Sequence, residues 1–315
     1  METNISKDYN KLIEEDDDEL DLIKLVATNA NDSNQYLIFV GSNNEIYAKN
    51  VSKIEELVVY RDLNITKNSD KDNIIVGTAD IRDQMTTIVN FDAWMGNEVL
   101  DENEYELLII ASYGNKRFAI IVKRVEQITT IEPSEMTDNS NDNNKATFIA
   151  KVAISGEQRL CTIFDGDKML IDIYDEVEEN AHLSTNINQK VQSNKMILFA
   201  DDSKFVRKMV SDLLDKMELR YHLYNNGEDM IQHIGDLDAN EIGLIIIDLE
   251  MPKMGGKEVI NHIRQQSSYN DLNIIVHTNM SNNITSDELI NIGASKIIGK
   301  INMEELSQSI NEFIR

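Results

Sequence analysis

Cysteine is almost missing from this 315-residue chain, which carries Cys161 alone. One thiol cannot make an internal disulfide, and such usage suits a reducing compartment. Cys161 lies in the apolar stretch Leu160-Cys161-Thr162-Ile163-Phe164 and reads as a buried, inert thiol rather than a nucleophile. Positive charge is also short: 30 Lys and Arg stand against 56 Asp and Glu, a formal net charge of −26. That excess argues against nucleic acid or an anionic membrane surface as partner, because phosphate repels it. No apolar run approaches the ~20 residues of a membrane span. The start, Met1-Glu2-Thr3-Asn4, lacks the basic and apolar regions of a signal peptide. The expectation is a soluble cytoplasmic protein without direct membrane insertion. The five histidines show no metal-ligand spacing.

What is present supports packed cores. Hydrophobic residues make up 41% of the chain, and its length suffices for two domains. The acidic run at 14–19 reads as a solvated flank. Residues 178–194 lose the apolar pattern and gain Asn, Gln and Ser, as a linker does, and 137–144 read as a surface loop. The expected layout is therefore a domain over 20–177, a linker over 178–194 and a second domain over 195–315. The first half is β-rich. Short apolar runs such as Tyr36-Leu37-Ile38-Phe39-Val40, Leu107-Leu108-Ile109-Ile110 and Phe118-Ala119-Ile120-Ile121-Val122 are punctuated by turn residues, as in barrels or sandwiches. It offers no acid/base pair, metal cluster or nucleophile with its base, which favours a binding module.

The last third alternates apolar runs with segments of helical spacing. Met196-Ile197-Leu198-Phe199-Ala200 ends in Asp201-Asp202; Leu244-Ile245-Ile246-Ile247 ends in Asp248; Asn273-Ile274-Ile275-Val276-His277 ends in Thr278; Ile297-Ile298-Gly299 ends in Lys300. Strict alternation predicts a parallel sheet with right-handed crossovers, so these residues converge on one edge. Ser203 is placed to cap the helix that follows. Asp-Asp before a helix can be only a capping device, but all four features in order make a site. Clustered carboxylates raise each other's pKa unless a cation sits among them, and a set made only of oxygen ligands suits Mg²⁺. Lys300, Thr278 and loop amides after Asp248 suit a phosphoryl group, with Asp248 itself a possible nucleophile forming an acyl phosphate.

These residues, Asp201-Asp202-Ser203, Asp248-Leu249-Glu250-Met251-Pro252 with Gly255-Gly256, Thr278 and Lys300, resemble the receiver domain of two-component response regulators. The resemblance covers about 195–315. It implies an α/β flavodoxin-like fold with a parallel five-stranded sheet of order 2-1-3-4-5. It further implies that Asp248 accepts a phosphoryl group from a histidine kinase. Asp201, Asp202, Asp248 and the backbone carbonyl of Glu250 would hold Mg²⁺, while Thr278 and Lys300 engage phosphoryl oxygens. Two positions depart from the family: Ile301 stands where proline usually follows the lysine, and Ile297 where an aromatic switch residue is common.

The first half is similar to CheW-like coupling domains. The likeness rests on Gly77-Thr78-Ala79-Asp80-Ile81-Arg82, Thr86-Thr87-Ile88-Val89-Asn90-Phe91 and Met95-Gly96, continued by 108–131 and 145–171. It implies an all-β fold of two small five-stranded barrels that docks chemoreceptors and the chemotaxis kinase, with Arg82 as a partner contact. Asp83, Thr87 and Asn90 replace the family's usual Gly, Pro and Asp. Coupling domain plus receiver resembles the CheV-type arrangement. It implies a chemotaxis adaptor at membrane-associated receptor arrays, not an enzyme beyond self-phosphotransfer and autodephosphorylation. The partners would be chemoreceptors and the chemotaxis histidine kinase as phosphodonor, not nucleic acid. The alternative is a phosphate sink that drains the kinase. A haloacid-type hydrolase is rejected because Asp-Asp replaces its Asp-x-Asp.

Overall fold

The computed structural model describes residues 34–68, 73–113, 116–138, 145–174, 191–279, 286–300 and 302–314. The acidic run at 14–19, most of the expected linker and Ile301 lie outside these residues. Two sheets make up the N-terminal part. The first has the order β10-β11-β12-β2-β1-β9, from β1 (Gln35–Val40), β2 (Ile46–Asn50), β9 (Arg124–Thr130), β10 (Thr137–Asp138), β11 (Ala146–Ile154) and β12 (Glu157–Phe164). The second has the order β3-β7-β8-β6-β5-β4, from β3 (Glu56–Val59), β4 (Thr66–Lys67), β5 (Ile75–Asp80), β6 (Met85–Asn90), β7 (Leu107–Tyr113) and β8 (Lys116–Val122). Each sheet thus has five substantial strands and a two-residue sixth at one edge, where five strands were implied. Part of the segment read as a loop, Thr137–Asp138, is that edge strand: it pairs with Ile149 and Phe148 of β11.

Half-buried strands alternate their burial. In β11 the residues from Ala150 to Ile154 run buried, exposed, buried, exposed, buried. Aromatic residues fill part of the interior. Phe91 meets Phe39 edge-on at 4.9 Å and Tyr47 at 4.7 Å, with Trp94 at 6.2 Å, and all four are fully buried. Phe91 and Trp94 come from the short helix α1 (Phe91–Met95). Asn90 caps it, its Oδ1 accepting from Ala93 N at 2.9 Å. The helix stops at Gly96, whose φ of 86° suits a residue without Cβ.

The C-terminal part has one parallel sheet of order β14-β13-β15-β16-β17, from β13 (Met196–Ala200), β14 (Arg220–Tyr224), β15 (Ile242–Ile247), β16 (Asn273–Thr278) and β17 (Lys296–Gly299). In order of appearance along the chain this is 2-1-3-4-5, as expected. Central strands β13 and β15 are buried at every position, because crossover helices cover both faces of a parallel sheet. The edge strand β14 is largely exposed. Helices α3 (Lys204–Lys216), α4 (Gly227–Ile234), α5 (Gly256–Arg264) and α6 (Ser286–Ile292) supply the crossovers, and α7 (Met303–Phe313) follows the last strand. Val206, Met209, Val210, Leu213 and Leu214 are the buried stripe of α3. Ser203 is its N-cap, Oγ accepting from Val206 N at 3.1 Å.

The fold forms two compact units, 1–111 with 117–131 and 152–161, and 112–116 with 132–151 and 162–315. The second therefore includes helix α2 (Gly166–Ile173) together with the parallel sheet.

Arg82 and Asp83 form the two-residue loop between β5 and β6, closed by hydrogen bonds between Ile81 and Gln84 at 3.0 and 3.3 Å. Both have positive φ, 55° and 61°, as a type I′ hairpin requires and as non-glycine residues resist. Asp83→Gly is expected to raise stability by about 1 kcal/mol, a thermal shift of roughly 2–4 °C. An unchanged or lower melting temperature would show that this loop is unstrained.

Candidate functional site

The sheet order places β13 between β14 and β15, so Asp201 and Asp248 leave neighbouring strands side by side; Ala200 pairs with Ile247 and accepts from Asp248 N at 2.9 Å. Local bonds then fix each carboxylate. Asp201 Oδ1 accepts from Ser203 N at 2.9 Å, and Asp248 Oδ1 from Leu249 N at 2.8 Å. Arg207 Nη1 donates to the carbonyls of Asp201 and Asp202 at 2.6 and 3.0 Å, tying the start of α3 to the strand end. The loop after Asp248 folds back closely: Gly256 N donates to Leu249 O at 3.0 Å, and a Cβ on Gly256 would lie 2.4 Å from Asp248 O. Only glycine fits that approach.

Lys300 follows β17, and its backbone N donates to Thr278 O at 3.3 Å. Its side chain, 3% exposed, holds Asp248 Oδ2 at 2.9 Å, Asp167 Oδ2 at 3.0 Å and Asp201 Oδ1 at 3.3 Å. Asp201, Asp202, Asp248 and Lys300 are thus brought together. Thr278, buried at the end of β16, is paired with Gly299 of β17 next to them. Glu250 is half-buried in the loop after β15. Ile297 is half-buried and packs against the hydrophobic core under the sheet. Arg82 lies elsewhere, at the hairpin tip of the other unit, 75% exposed and paired with Glu56 at 2.6 Å.

Burial works against the charge of Lys300, but Asp167, Asp201 and Asp248 outweigh it and hold its pKa well above the ordinary lysine value. Burial pushes Asp201 well above the carboxylate range, Lys300 opposing and Asp248 and Asp167 adding to the shift. Burial likewise raises Asp165 to about 6, with Asp167 reinforcing it. Burial pushes the Cys161 thiol up to about 12, in keeping with an inert thiol.

Sequence reasoning did not find Asp165 and Asp167. Asp165 caps α2, accepting from Asp167 N and Lys168 N at 3.1 Å. In sequence, Asp165-Gly166-Asp167 looks like any polar helix start, and the Lys300 that gives Asp167 its role is 133 residues away.

A hard divalent cation fits this donor set. Single carboxylate oxygens of Asp201, Asp202 and Asp248 lie within 4.8 Å of one another. Asp201 Oδ2 is buried and, although 3.2 Å from Lys300 Nζ, accepts no hydrogen bond. That leaves an oxygen ion-paired to an ammonium but without a donor aligned on it, a position a divalent cation could also serve.

Residues 35–173 match the family model of the CheW-like domain, and 197–311 that of the response regulator receiver domain. Chemotaxis protein CheV1 of Helicobacter pylori is 28% identical over 313 residues, covering 92% of this chain and 96% of its own. Among solved structures, the scaffolding protein TtCheW from Thermoanaerobacter tengcongensis is 18% identical, with a TM-score of 0.36, over 42% of this chain and 88% of that one. Chemotaxis response regulator CheY4 of Vibrio cholerae is 25% identical, with a TM-score of 0.36, over 39% of this chain and 100% of its own. The chain is therefore a CheW-like domain joined to a response regulator receiver domain. With the match along nearly the whole of CheV1, that pairing makes it a chemotaxis protein of the CheV type. Among the described residues no helix is long and apolar enough to cross a membrane.

His277, next to Thr278, is a packed strand histidine. It is fully buried, 6.2 Å from the Phe199 ring, and neither ring nitrogen has a hydrogen-bond partner. Burial, helped by Lys300, lowers its pKa from 6.5 to about 3. A depressed folded-state value means that its contribution to stability is whole above pH 6.5 and is lost as pH falls toward about 3. Asp201 and Asp165, with raised values, act in the opposite sense: their contribution is whole at low pH and is lost as pH rises. Comparing wild type with His277→Val by urea denaturation separates the two. The variant's relative stability should grow by up to about 1.4 kcal/mol per pH unit below 6.5. A difference that stays constant from pH 7.5 to 4.5 would contradict the assignment.

Proposed function

We propose that the chain is a chemotaxis adaptor linking chemoreceptors to their histidine kinase, and that phosphorylation of Asp248 regulates the link. The observation that carries this reading is the meeting of Asp248 and Asp201 on the buried ammonium of Lys300 within a receiver domain. Asp248 Oδ2, held by Lys300, would attack the phosphorus of a phosphohistidine. The P–N bond breaks, the imidazole leaves with the electron pair and picks up a proton, and an acyl phosphate remains on Asp248. Lys300 and Thr278 are assigned to the phosphoryl oxygens, and Leu249 N keeps the other carboxylate oxygen in place. Asp201, Asp202, Asp248 and the Glu250 carbonyl would hold Mg²⁺. When bound, it neutralises charge on the transferring group.

Working boundaries are 20–177 for the coupling domain, 178–194 for the linker and 195–315 for the receiver. Arg82, exposed at a hairpin tip, is proposed as a partner contact in the coupling domain. Association with receptor arrays would follow from that domain. The chain has an adaptor's organisation rather than that of a classical enzyme, and the proposed chemistry is confined to its own phosphorylation and dephosphorylation.

A receptor–kinase reconstitution tests the proposal. Asp248→Asn should lower phosphoryl incorporation by roughly a hundredfold or more and abolish any dependence of kinase coupling on phosphodonor. Coupling that still changes with phosphodonor in this variant would refute regulation through Asp248. Fast phosphoryl decay in wild type with unchanged receptor binding would instead identify a phosphate sink.

A further inference from the structure

The fourth carboxylate at the receiver site comes from outside the receiver. Asp167 lies in α2, within residues 35–173 of the CheW-like match, yet its side chain is 3% exposed and seated on receiver groups. Oδ2 accepts from Lys300 Nζ at 3.0 Å and Oδ1 from Asn279 Nδ2 at 2.8 Å. Neighbouring contacts anchor the same end of the helix. Asp165 Oδ2 accepts from Ser203 Oγ at 2.8 Å, and the Lys168 ammonium lies 5.4 Å from the centre of the Phe205 ring.

An ammonium has three N–H donors. Around Lys300, three carboxylates take up all three: Asp167, Asp201 and Asp248. A phosphoryl group on Asp248 adds roughly −1.5 to −2 charges and needs the same ammonium. It meets Asp167 as a like charge on a buried cation. Burying so many carboxylates on one lysine is poor design for stability alone, since desolvation offsets much of the attraction.

We infer that Asp167 is an internal competitor for the phosphoryl position: it occupies Lys300 and Asn279 in the unphosphorylated chain, and phosphorylation of Asp248 expels it, freeing the start of α2. This rests on the phosphoacceptor reading of Asp248 and gives it an output. The signal would reach the CheW-like domain through its own helix α2 rather than through Ile297 of β17. Coupling of this kind is reciprocal, so Asp167 must weaken phosphoryl binding as much as phosphoryl binding weakens the Asp167 contact.

The test uses the full chain with Mg²⁺ and beryllofluoride as a phosphoryl stand-in, followed by calorimetry and by hydrogen exchange over 166–173. Asp167→Asn keeps side-chain size and leaves the Asp165 cap intact. It should bind beryllofluoride on the order of tenfold more tightly than wild type. In wild type, beryllofluoride should speed exchange at the start of α2; in Asp167→Asn that exchange should be fast already. Tighter binding without any change in α2 exchange would reduce Asp167 to a background charge and overturn the inference. Equal affinities would overturn it too, while leaving the phosphoacceptor reading in place. If neither protein binds, or if Asp248→Asn binds as well as wild type, the phosphoacceptor reading fails and the inference falls with it.

Discussion

A single buried ammonium holds the functional end of this protein together. Lys300 Nζ lies within 3.3 Å of carboxylates from three parts of the chain, Asp167 before the parallel sheet, Asp201 after its first strand and Asp248 after its third. Without that cation three negative charges could not share a dry pocket, and at least one would protonate. With it, burial is tolerable but not comfortable, as the raised pKa of Asp201 shows. The sheet order, the close approach of Gly256 to Asp248 and the Arg207 bonds at the head of α3 all serve to bring these groups to one place. Such an arrangement responds strongly to added charge, which is what a phosphorylation switch needs.

The receiver was legible because a parallel sheet covered on both faces writes continuous apolar runs into the sequence. Met196–Ala200 and Ile242–Ile247 are buried throughout, and the residue after each run falls on the functional edge. The first half was harder. Arg124–Thr130 is half-buried along most of its length, so it carries no apolar run to find. The β-rich character of this half shows in short apolar runs, but the pairing of its strands is legible only through a family pattern. Within that pattern, Asn90 stands where aspartate is usual and caps a helix, since an amide oxygen accepts from a backbone N–H as a carboxylate oxygen can.

The carboxylates of α2 could not be read from sequence at all. Their local environment is an ordinary N-cap and first turn, and local environment is what motif reading sees. What sets Asp167 apart is tertiary: a lysine and an asparagine brought to it by a sheet that begins about 30 residues later. Long-range electrostatic partners leave no periodic trace, whereas buried strands do. The same limit separates His277, recognisable as a strand residue, from the fact that both of its ring nitrogens lack partners.

The departures at Ile297 and Ile301 bear on how such a site reports its state. Ile297 packs into the apolar core rather than standing ready as an aromatic side chain that could exchange with Thr278. An aliphatic group there offers little differential interaction between two states, and a switch needs such a difference. A charged group already resting on Lys300 does offer one, because the ammonium's attraction holds it before phosphorylation and a phosphoryl group's repulsion is added after it. A receiver that lacks the aromatic element can therefore still be bistable, provided the mobile element carries the charge. Asp167 is placed to be that element, on a helix that belongs to the CheW-like domain it would inform.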